Sequence, residues 1–215
     1  MELLRDPDAE LVRACRNPEA DGFEAAFEGL YVKYRDRVYS IAYRITGSAM
    51  DAMDVVQESF GLVFRKIGSF RSGSLFGTWL FRIVVNCSID LRRRERSKQV
   101  LRADLDAAGE AVVDPTDNPE VRAATSELGG QVQAAIQLLS PKLRVILALR
   151  YLEEMSYDEL AATLSLSLGT VKSRLARAHL ALEKVLRERF PYLEAGHQHR
   201  SEGGRSESDR AGGSA

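Results

Sequence analysis

Several residue types are scarce in this 215-residue sequence, and each scarcity argues against a class of protein. The two cysteines, Cys15 and Cys87, form neither a CxxC pair nor a disulfide framework. The three histidines, His179, His197 and His199, have no neighbours that would complete a metal site. No apolar run is long enough to span a membrane, and the acidic start "MELLRDPDAE" lacks a signal-peptide pattern. We therefore expect a cytoplasmic protein without a metal, a cofactor or a membrane span.

Catalytic signatures are missing as well. The sequence offers no nucleophile–base set, no metal-ligand cluster and no glycine-rich phosphate loop. Its composition, 45% hydrophobic and 28% charged, is that of an ordinary soluble protein. A chain of this length is enough for one or two small domains with their own cores. We expect a protein that is not an enzyme and that has no catalytic residues.

Charge is strongly segregated along the chain, although the formal net charge is only −1. Bases outnumber acids by seven to two in 82–102 and by six to two in 169–190, whereas 1–30 and 103–130 are acidic. Two basic islands in an acidic chain favour two contacts with one polyanion. The plainer alternative, solvated helix faces, explains one such island better than it explains two.

Apolar residues recur with a helical period through most of the chain, and no convincing strand is present. The period is lost in an acidic stretch that contains two prolines, Pro115 and Pro119, which indicates a flexible linker. We predict an all-α protein in which two small helical domains are joined by that linker. The predicted divisions are an N-terminal helical extension (1–22), an N-terminal domain (23–97), the linker (98–125), a C-terminal domain (126–194) and a disordered Gly/Ser-rich tail (195–215).

The stretch "MSYDELAATLSLSLGTVKSRLARAHLALEKVL" predicts two short helices with a tight break between them. Ser156 and Glu159 form a capping box that starts the first helix, and the second begins near Gly169. The outer side of the second helix is polar and basic, as in a helix-turn-helix that lies in the major groove of DNA. The alternative is a plain helical hairpin with a solvated face. The candidate DNA-binding residues are Thr170, Lys172, Ser173, Arg174 and Arg177.

The third predicted helix, from about Leu75 to about Arg96, mixes basic and aromatic residues. Such a mixture suits single-stranded nucleic acid, because rings stack on bases while arginines follow the backbone. Arg82 and Asn86 do not fit an apolar core, and an asparagine can hydrogen-bond a base that has left the stack. Core packing is the stronger explanation for Trp79, which lies on the apolar stripe, whereas Phe81 is less well placed for the core.

The second predicted helix exposes Asp54, Gln57 and Glu58 on one face. Acidic and amide groups are poor ligands for DNA, so on a DNA-binding protein this face is a candidate protein contact. A merely solvated face explains these three residues slightly better when they are considered alone.

Two segments resemble the sigma-70 family of RNA polymerase sigma factors. "DAMDVVQESFGLVFRKIGSFRSGSLFGTWLFRIVVNCSIDLRRR" looks like region 2 of that family, and "LSPKLRVILALRYLEEMSYDELAATLSLSLGTVKSRLARAHLALEKVL" looks like region 4. The sequence lacks the domains that lie between these two regions in other members, and in this it resembles the extracytoplasmic-function (ECF) group. The resemblance covers about residues 11–186, with glycine at position 77 where the family usually has a larger residue and Ser165 where glycine is frequent.

The resemblance implies a factor that binds core RNA polymerase and directs initiation at promoters by recognising the −35 element and melting the −10 element. It assigns Asp54, Gln57 and Glu58 to the clamp helices of the β′ subunit, and it implies a contact with the β flap. It also implies an anti-sigma factor as a regulatory partner. The residues assigned to the −10 element are Trp79, Arg82, Asn86, Arg92, Arg93 and Arg94, and those assigned to the −35 element are Thr170, Lys172, Ser173, Arg174 and Arg177.

Two other functions stay open on the residues alone. A stand-alone helix-turn-helix regulator that binds an operator as a dimer would use the C-terminal domain. It would leave the faces around Arg82 and Asp54 idle, and the sequence shows no spare apolar face for self-association. An adaptor whose helices bind only proteins would not be retained on heparin or DNA.

Overall fold

The structure is a computed structural model that describes residues 6–19, 21–70, 74–105 and 127–190. The predicted tail (195–215) and most of the predicted linker lie outside these ranges. Within them the chain is helical and contains no strand, which confirms the all-α prediction. None of the described helices is both long and apolar enough to cross a lipid bilayer.

Eight α-helices and one short 3₁₀ turn, Ile67–Ser69, make up the described ranges. The first four helices belong to the N-terminal half, and the last four belong to the C-terminal half. In chain order they are α1 (Ala9–Ala14), α2 (Phe23–Thr46), α3 (Ala49–Lys66), α4 (Phe76–Leu105), α5 (Glu127–Gln137), α6 (Pro141–Leu152), α7 (Tyr157–Leu164) and α8 (Leu168–Arg189).

Local capping signals fix several helix ends. Gly47 ends α2 in the left-handed region at φ +83°, and the hydroxyl of Ser48 then accepts the backbone N–H of Asp51 to start α3. The predicted capping box of α7 forms with both of its bonds. These caps are contacts between residues close in sequence, which explains why they could be predicted.

Helix α4 is longer than the sequence pattern suggested. It continues to Leu105, nine residues beyond the predicted end near Arg96. The added stretch, "SKQVLRADL", contains neither glycine nor proline, so nothing in it breaks a helix that has already formed. The basic end of α4 therefore projects into the range that we had assigned to the linker.

The N-terminal domain has an aromatic core in which α4 packs against both α2 and α3. The sequence-based expectation for Phe81 was wrong, because its side chain is only 2% exposed and its ring centroid lies 6.0 Å from that of Tyr34. A helix covered on two sides buries a wider stripe than one apolar face. Gly77 contributes, since a Cβ there would lie 3.3 Å from the hydroxyl of Tyr34.

The C-terminal domain has an aliphatic core. Its buried side chains come mainly from α6, α7 and α8, and they are continuous with the core of the N-terminal domain. Helix α6 packs along α2, and α7 packs against α4, so the two domains are in direct contact. The buried side chains include Ile146, Leu149, Leu160, Val171 and Leu175.

Candidate nucleic-acid interface

Helix α8 presents the predicted helix-turn-helix face to solvent. Val171, Leu175 and Ala178 are buried against the rest of the C-terminal domain. The five predicted DNA-binding residues lie on the other side: Lys172, Ser173 and Arg177 are exposed, and Thr170 and Arg174 are half-buried.

Hydrogen bonds between residues close in sequence order the first turns of α8. The hydroxyl of Ser167 accepts the backbone N–H of Thr170 at 3.2 Å, which caps the helix. The hydroxyl of Ser173 donates to the carbonyl of Thr170 at 3.1 Å, and Nε of Arg177 donates to the carbonyl of Ser173 at 3.2 Å. The amino end of α8 carries the positive end of the helix dipole, so both the dipole and the side chains favour a phosphate here.

Helix α4 carries the second predicted face. Arg82, Asn86, Arg93 and Arg94 are exposed on it. Trp79 is half-buried, with its ring centroid 5.1 Å from that of Phe70 and 5.8 Å from that of Phe76. Trp79 therefore packs at the edge of the core, as its place on the apolar stripe suggested.

Two of the arginines predicted to bind the −10 element donate to backbone carbonyls of other helices. Nε of Arg82 donates to the carbonyl of Thr163 at 3.3 Å, and its guanidinium also donates to the carbonyl of Ala162. Arg92 is half-buried and donates to the carbonyl of Thr46 at 2.9 Å. The sequence could not show this, because these partners lie far away along the chain.

The N-terminal extension holds the start of α4. A carboxylate oxygen of Asp6 accepts the backbone N–H of Phe76 at 2.9 Å. Asp8 is buried, and its carboxylate accepts hydrogen bonds from Lys33 and from the hydroxyl of Tyr34. Burial, followed by the hydrogen bond to Asp8, raises the pKa of Tyr34. Sequence reasoning missed this anchoring role, because the acidic N-terminus meets α4 only in the tertiary fold.

Helix α3 displays the predicted protein-binding face. Asp54, Gln57 and Glu58 are all exposed. The structure adds two residues that sequence reasoning overlooked, Met50 and Met53, which are 70% and 52% exposed. Positions 50, 53, 54 and 57 have the spacing of one helix face, so apolar and acidic groups share it.

The carboxyl end of α2 receives an unexpected group of side chains from the C-terminal domain. Arg144 of α6 is 3% exposed and donates to the carbonyl of Ile45 at 2.9 Å. Gln133 and Gln137 of α5 donate to the carbonyls of Tyr43 and Arg44. Burial, assisted by the nearby positive charges, lowers the pKa of Arg144 to about 10. An arginine in the apolar stretch "LRVILAL" was the signal that could have identified this site.

Two family models match the chain. The first, described as Sigma-70 region 2, matches residues 30–98. The second, described as Sigma-70, region 4, matches residues 129–182. The matched segments contain α4 up to residue 98, α7, and α8 up to residue 182, so the candidate residues of both nucleic-acid faces lie within them.

Several curated relatives match most of the chain. The ECF RNA polymerase sigma factor SigE of Mycolicibacterium smegmatis is 39% identical over 173 residues, which are 78% of this chain and 65% of that protein, slightly less than two thirds. The RNA polymerase sigma-H factor of Pseudomonas aeruginosa is 32% identical over 86% of this chain and 96% of its own length. The ECF RNA polymerase sigma factor SigW of Bacillus subtilis is 34% identical over 78% and 92%.

Solved structures share the fold at lower identity. CnrH, determined in complex with the cytosolic domain of CnrY, superposes with a TM-score of 0.63 at 22% identity, covering 85% of this chain and 98% of CnrH. The sigma factor RpoE from Bartonella quintana, determined in complex with the anti-sigma factor NepR, gives a TM-score of 0.59 at 24% identity, covering 76% and 98%.

The region 2 match precedes the region 4 match along the chain, and both lie on helical structure. The alignments with the relatives from Pseudomonas aeruginosa and Bacillus subtilis cover nearly the full length of those proteins. The chain belongs to the ECF group of the sigma-70 family, whose members are transcription initiation factors.

Proposed function

We propose that this chain binds core RNA polymerase and directs it to promoters, with the N-terminal domain on the −10 element and the C-terminal domain on the −35 element. The observation that carries the proposal is the presence of two separate polar faces, on α4 and on α8, within the two matched sigma regions. Such a factor acts in the cytoplasm, where core polymerase is found.

The exposed face of α3 is the proposed site for the polymerase clamp. Met50 and Met53 provide apolar area that a partner can bury, and methionine adapts its shape to a partner surface. Asp54, Gln57 and Glu58 flank them with groups that can pair with basic and amide side chains. Protein interfaces commonly combine a central apolar area with a polar rim.

The faces of α8 and α4 would divide the work on DNA. On α8, Arg174 and Arg177 can contact guanine edges or phosphates in the major groove, and Lys172 can neutralise phosphate. On α4, Asn86 can bind a base that has left the duplex. Strand opening would then come from the capture of unpaired bases rather than from nucleotide hydrolysis, so we propose no catalytic activity for the chain itself.

An anti-sigma factor is a further proposed partner. RpoE of Bartonella quintana was solved with the anti-sigma factor NepR, and CnrH was solved with a domain of CnrY. A shared fold supports the proposal that a comparable regulator binds this chain.

The proposed function is tested by the binding of the purified full chain to bacterial core RNA polymerase. The double variant Asp54→Lys/Glu58→Lys should lose most of the affinity, because it reverses two charges on the proposed face. A matched control is Glu24→Lys/Glu28→Lys, which reverses two exposed acids at the same four-residue spacing on α2. The control should bind as the native chain does.

Other outcomes would replace the proposal. A native chain that ignores polymerase but binds duplex DNA would instead be a helix-turn-helix regulator of the operator-binding kind. A chain that binds neither polymerase nor DNA would be an adaptor for other proteins.

A further inference from the structure

Residues 6–16, which we call the N-terminal strap, contact both ends of the connection between α3 and α4. At one end, a carboxylate oxygen of Asp6 accepts the backbone N–H of Phe76, the first residue of α4, at 2.9 Å. At the other end, the carbonyl of Arg16 lies close to Gly68 in the 3₁₀ turn that follows α3, because a Cβ at Gly68 would be 3.1 Å from that oxygen. The strap therefore spans the connection.

Asp6 caps the starts of two helices with one side chain. The first backbone N–H groups of a helix have no acceptor within that helix. Oδ2 of Asp6 accepts from Phe76 at the start of α4, and Oδ1 accepts from the backbone N–H of Asp8, which precedes α1, at 3.0 Å. A carboxylate is also favoured at the positive end of a helix dipole. Because both oxygens are used, the contact fixes α1 and α4 relative to each other.

Asp8 joins the strap to the same turn of α4 by a second route. Its side chain is buried, and its carboxylate accepts hydrogen bonds from Lys33 and from the hydroxyl of Tyr34. The ring of Tyr34 lies edge-on to that of Phe76 with the centroids 5.5 Å apart, and a Cβ at Gly77 would lie 3.3 Å from its hydroxyl. The strap thus holds both the backbone of the first turn of α4 and a ring against which that turn packs.

The strap has its own apolar anchor on α2. Helix α1 packs against α2, and Val12 and Cys15 are buried in the N-terminal core. The side chain of Leu11 lies close to Gly29 of α2, where a Cβ would be 3.4 Å from it. Because these contacts do not involve a carboxylate, the loss of the Asp6 side chain should release the first turn of α4 without detaching the strap.

The first turn of α4 leads directly into the candidate single-strand face. Trp79 follows Phe76 by one turn, and Arg82 and Asn86 follow Trp79 by three and seven residues, so these three lie on one side of the helix. The ring of Trp79 also lies 5.1 Å from that of Phe70, which belongs to the connection that the strap spans. The direction of the first turn therefore sets where the half-buried ring of Trp79 can meet a base.

We propose that the N-terminal strap positions the amino end of α4 for the capture of single-stranded DNA, with Asp6 as its main positioning residue. The consequence for DNA rests on the function proposed above, whereas the positioning of α4 does not. Asp6 has the wrong charge to bind a phosphate, so it acts through the helix that it caps. Duplex binding by the face of α8 should not depend on Asp6, whose hydrogen bonds connect α4 with the strap itself.

The first measurement needs no DNA. Hydrogen–deuterium exchange of the full chain, followed by mass spectrometry, compares the peptide that covers 74–80 with the peptides of α8. Asp6→Ala is compared with Glu10→Ala, a matched control that removes an exposed carboxylate from the same strap. The 74–80 peptide should exchange about fivefold faster in Asp6→Ala, the size of effect that the loss of a helix cap usually has, while α8 is unchanged. Asp6→Asn should restore part of the protection, because its amide oxygen can still accept one N–H.

The second measurement is the affinity of the same proteins for DNA, by fluorescence anisotropy. The probes are a fluorescein-labelled single strand of mixed sequence and a labelled duplex of arbitrary sequence. Asp6→Ala should bind the single strand several-fold more weakly than the native chain, because the aromatic and basic groups of α4 are no longer held in place, and should bind the duplex as the native chain does. Glu10→Ala should bind neither probe more weakly, since the loss of an acid only reduces repulsion of DNA. A weaker affinity in Asp6→Ala therefore cannot come from charge.

Equal exchange of the 74–80 peptide in Asp6→Ala and Glu10→Ala would overturn the positioning of α4 by the strap. So would exchange that is faster throughout Asp6→Ala, because the effect would then be one of global stability. Faster local exchange with an unchanged affinity for the single strand, or a native chain that does not bind the single strand, would overturn the consequence for DNA. Neither measurement uses polymerase, so these results are independent of the polymerase-binding test.

Discussion

The two domains are stabilised in different ways. The N-terminal domain contains a connected set of aromatic side chains around Phe76, whose ring contacts those of Tyr34, Phe70 and Trp79. Among the described residues of the C-terminal domain, the buried apolar side chains are aliphatic, with Met155, and none is aromatic. Aromatic side chains bury more area than aliphatic ones and stabilise a core accordingly.

The difference indicates that the C-terminal domain depends more on its helix caps and on its contacts with α2. A unit as small as 127–190 buries a modest share of its surface by itself. Specific polar groups stabilise it: the capping box at Ser156, the cap at Ser167 and the buried Arg144. The predictions below test this contrast.

The largest expected loss is in the aromatic core. Phe76→Ala should lower the free energy of unfolding by about 3–5 kcal/mol, because a fully buried ring is replaced by a cavity. Phe64→Ala is the control, since that ring is 48% exposed, and it should cost less than half as much. Urea unfolding measures both, and equal losses would contradict the account of the N-terminal core.

Arg144→Met should cost about 2–3 kcal/mol, because several buried carbonyls lose their donor. It should also uncouple the domains. Trp79, the one tryptophan in the sequence, reports on the N-terminal domain by fluorescence, while circular dichroism reports on both. The two unfolding curves should coincide for the native chain and diverge for the variant.

The control for that experiment is Arg150→Met on the same helix. Arg150 donates to the carbonyl of Met155 at 2.6 Å, within its own domain. Its loss should lower stability without separating the two curves. Divergent curves for Arg150→Met, or coincident curves for Arg144→Met, would show that Arg144 does not couple the domains.

Ser156→Ala should destabilise the C-terminal domain by about 1 kcal/mol, because it removes one half of the capping box of α7. Ser140 provides a matched control: it also precedes a helix but makes no side-chain hydrogen bond to cap it. Ser140→Ala should change the midpoint of thermal unfolding by much less. If Ser140→Ala were as unstable as Ser156→Ala, the loss of the capping hydrogen bond would not explain the instability of Ser156→Ala.

The smallest effect is expected at the turn of the helix-turn-helix. Ser165 adopts φ +53°, a left-handed conformation that favours glycine. Ser165→Gly should raise the free energy of unfolding of the C-terminal domain by a few tenths of a kcal/mol, up to about 1 kcal/mol. Denaturant unfolding followed by circular dichroism would detect it, and a loss of stability would mean that the flexibility gained by the unfolded chain outweighs the relieved strain.

Much of the fold followed from local sequence. The helical period, the glycine after α2 and the capping box of α7 act over a few residues, so the sequence contains the whole signal. The placement of the α8 face was predictable for the same reason, because one buried stripe determines which residues are left outside.

The remaining features depend on contacts between distant segments. Phe81 is buried because α4 is covered by two helices, which no single-helix pattern reveals. Arg82 was expected to be free for DNA, yet it also caps α7, about eighty residues later in the chain. The anchoring of α4 by Asp6 likewise joins residues that are far apart in sequence.

The central claim is that this chain gives promoter specificity to RNA polymerase. It is tested most directly by in vitro transcription with core polymerase, the purified chain and a pool of fragmented bacterial genomic DNA, followed by sequencing of the transcript starts. The account predicts transcripts that require the chain and whose start sites share two upstream elements, with Arg174→Ala/Arg177→Ala weakening dependence on the distal one. Starts that are the same with and without the chain would contradict it.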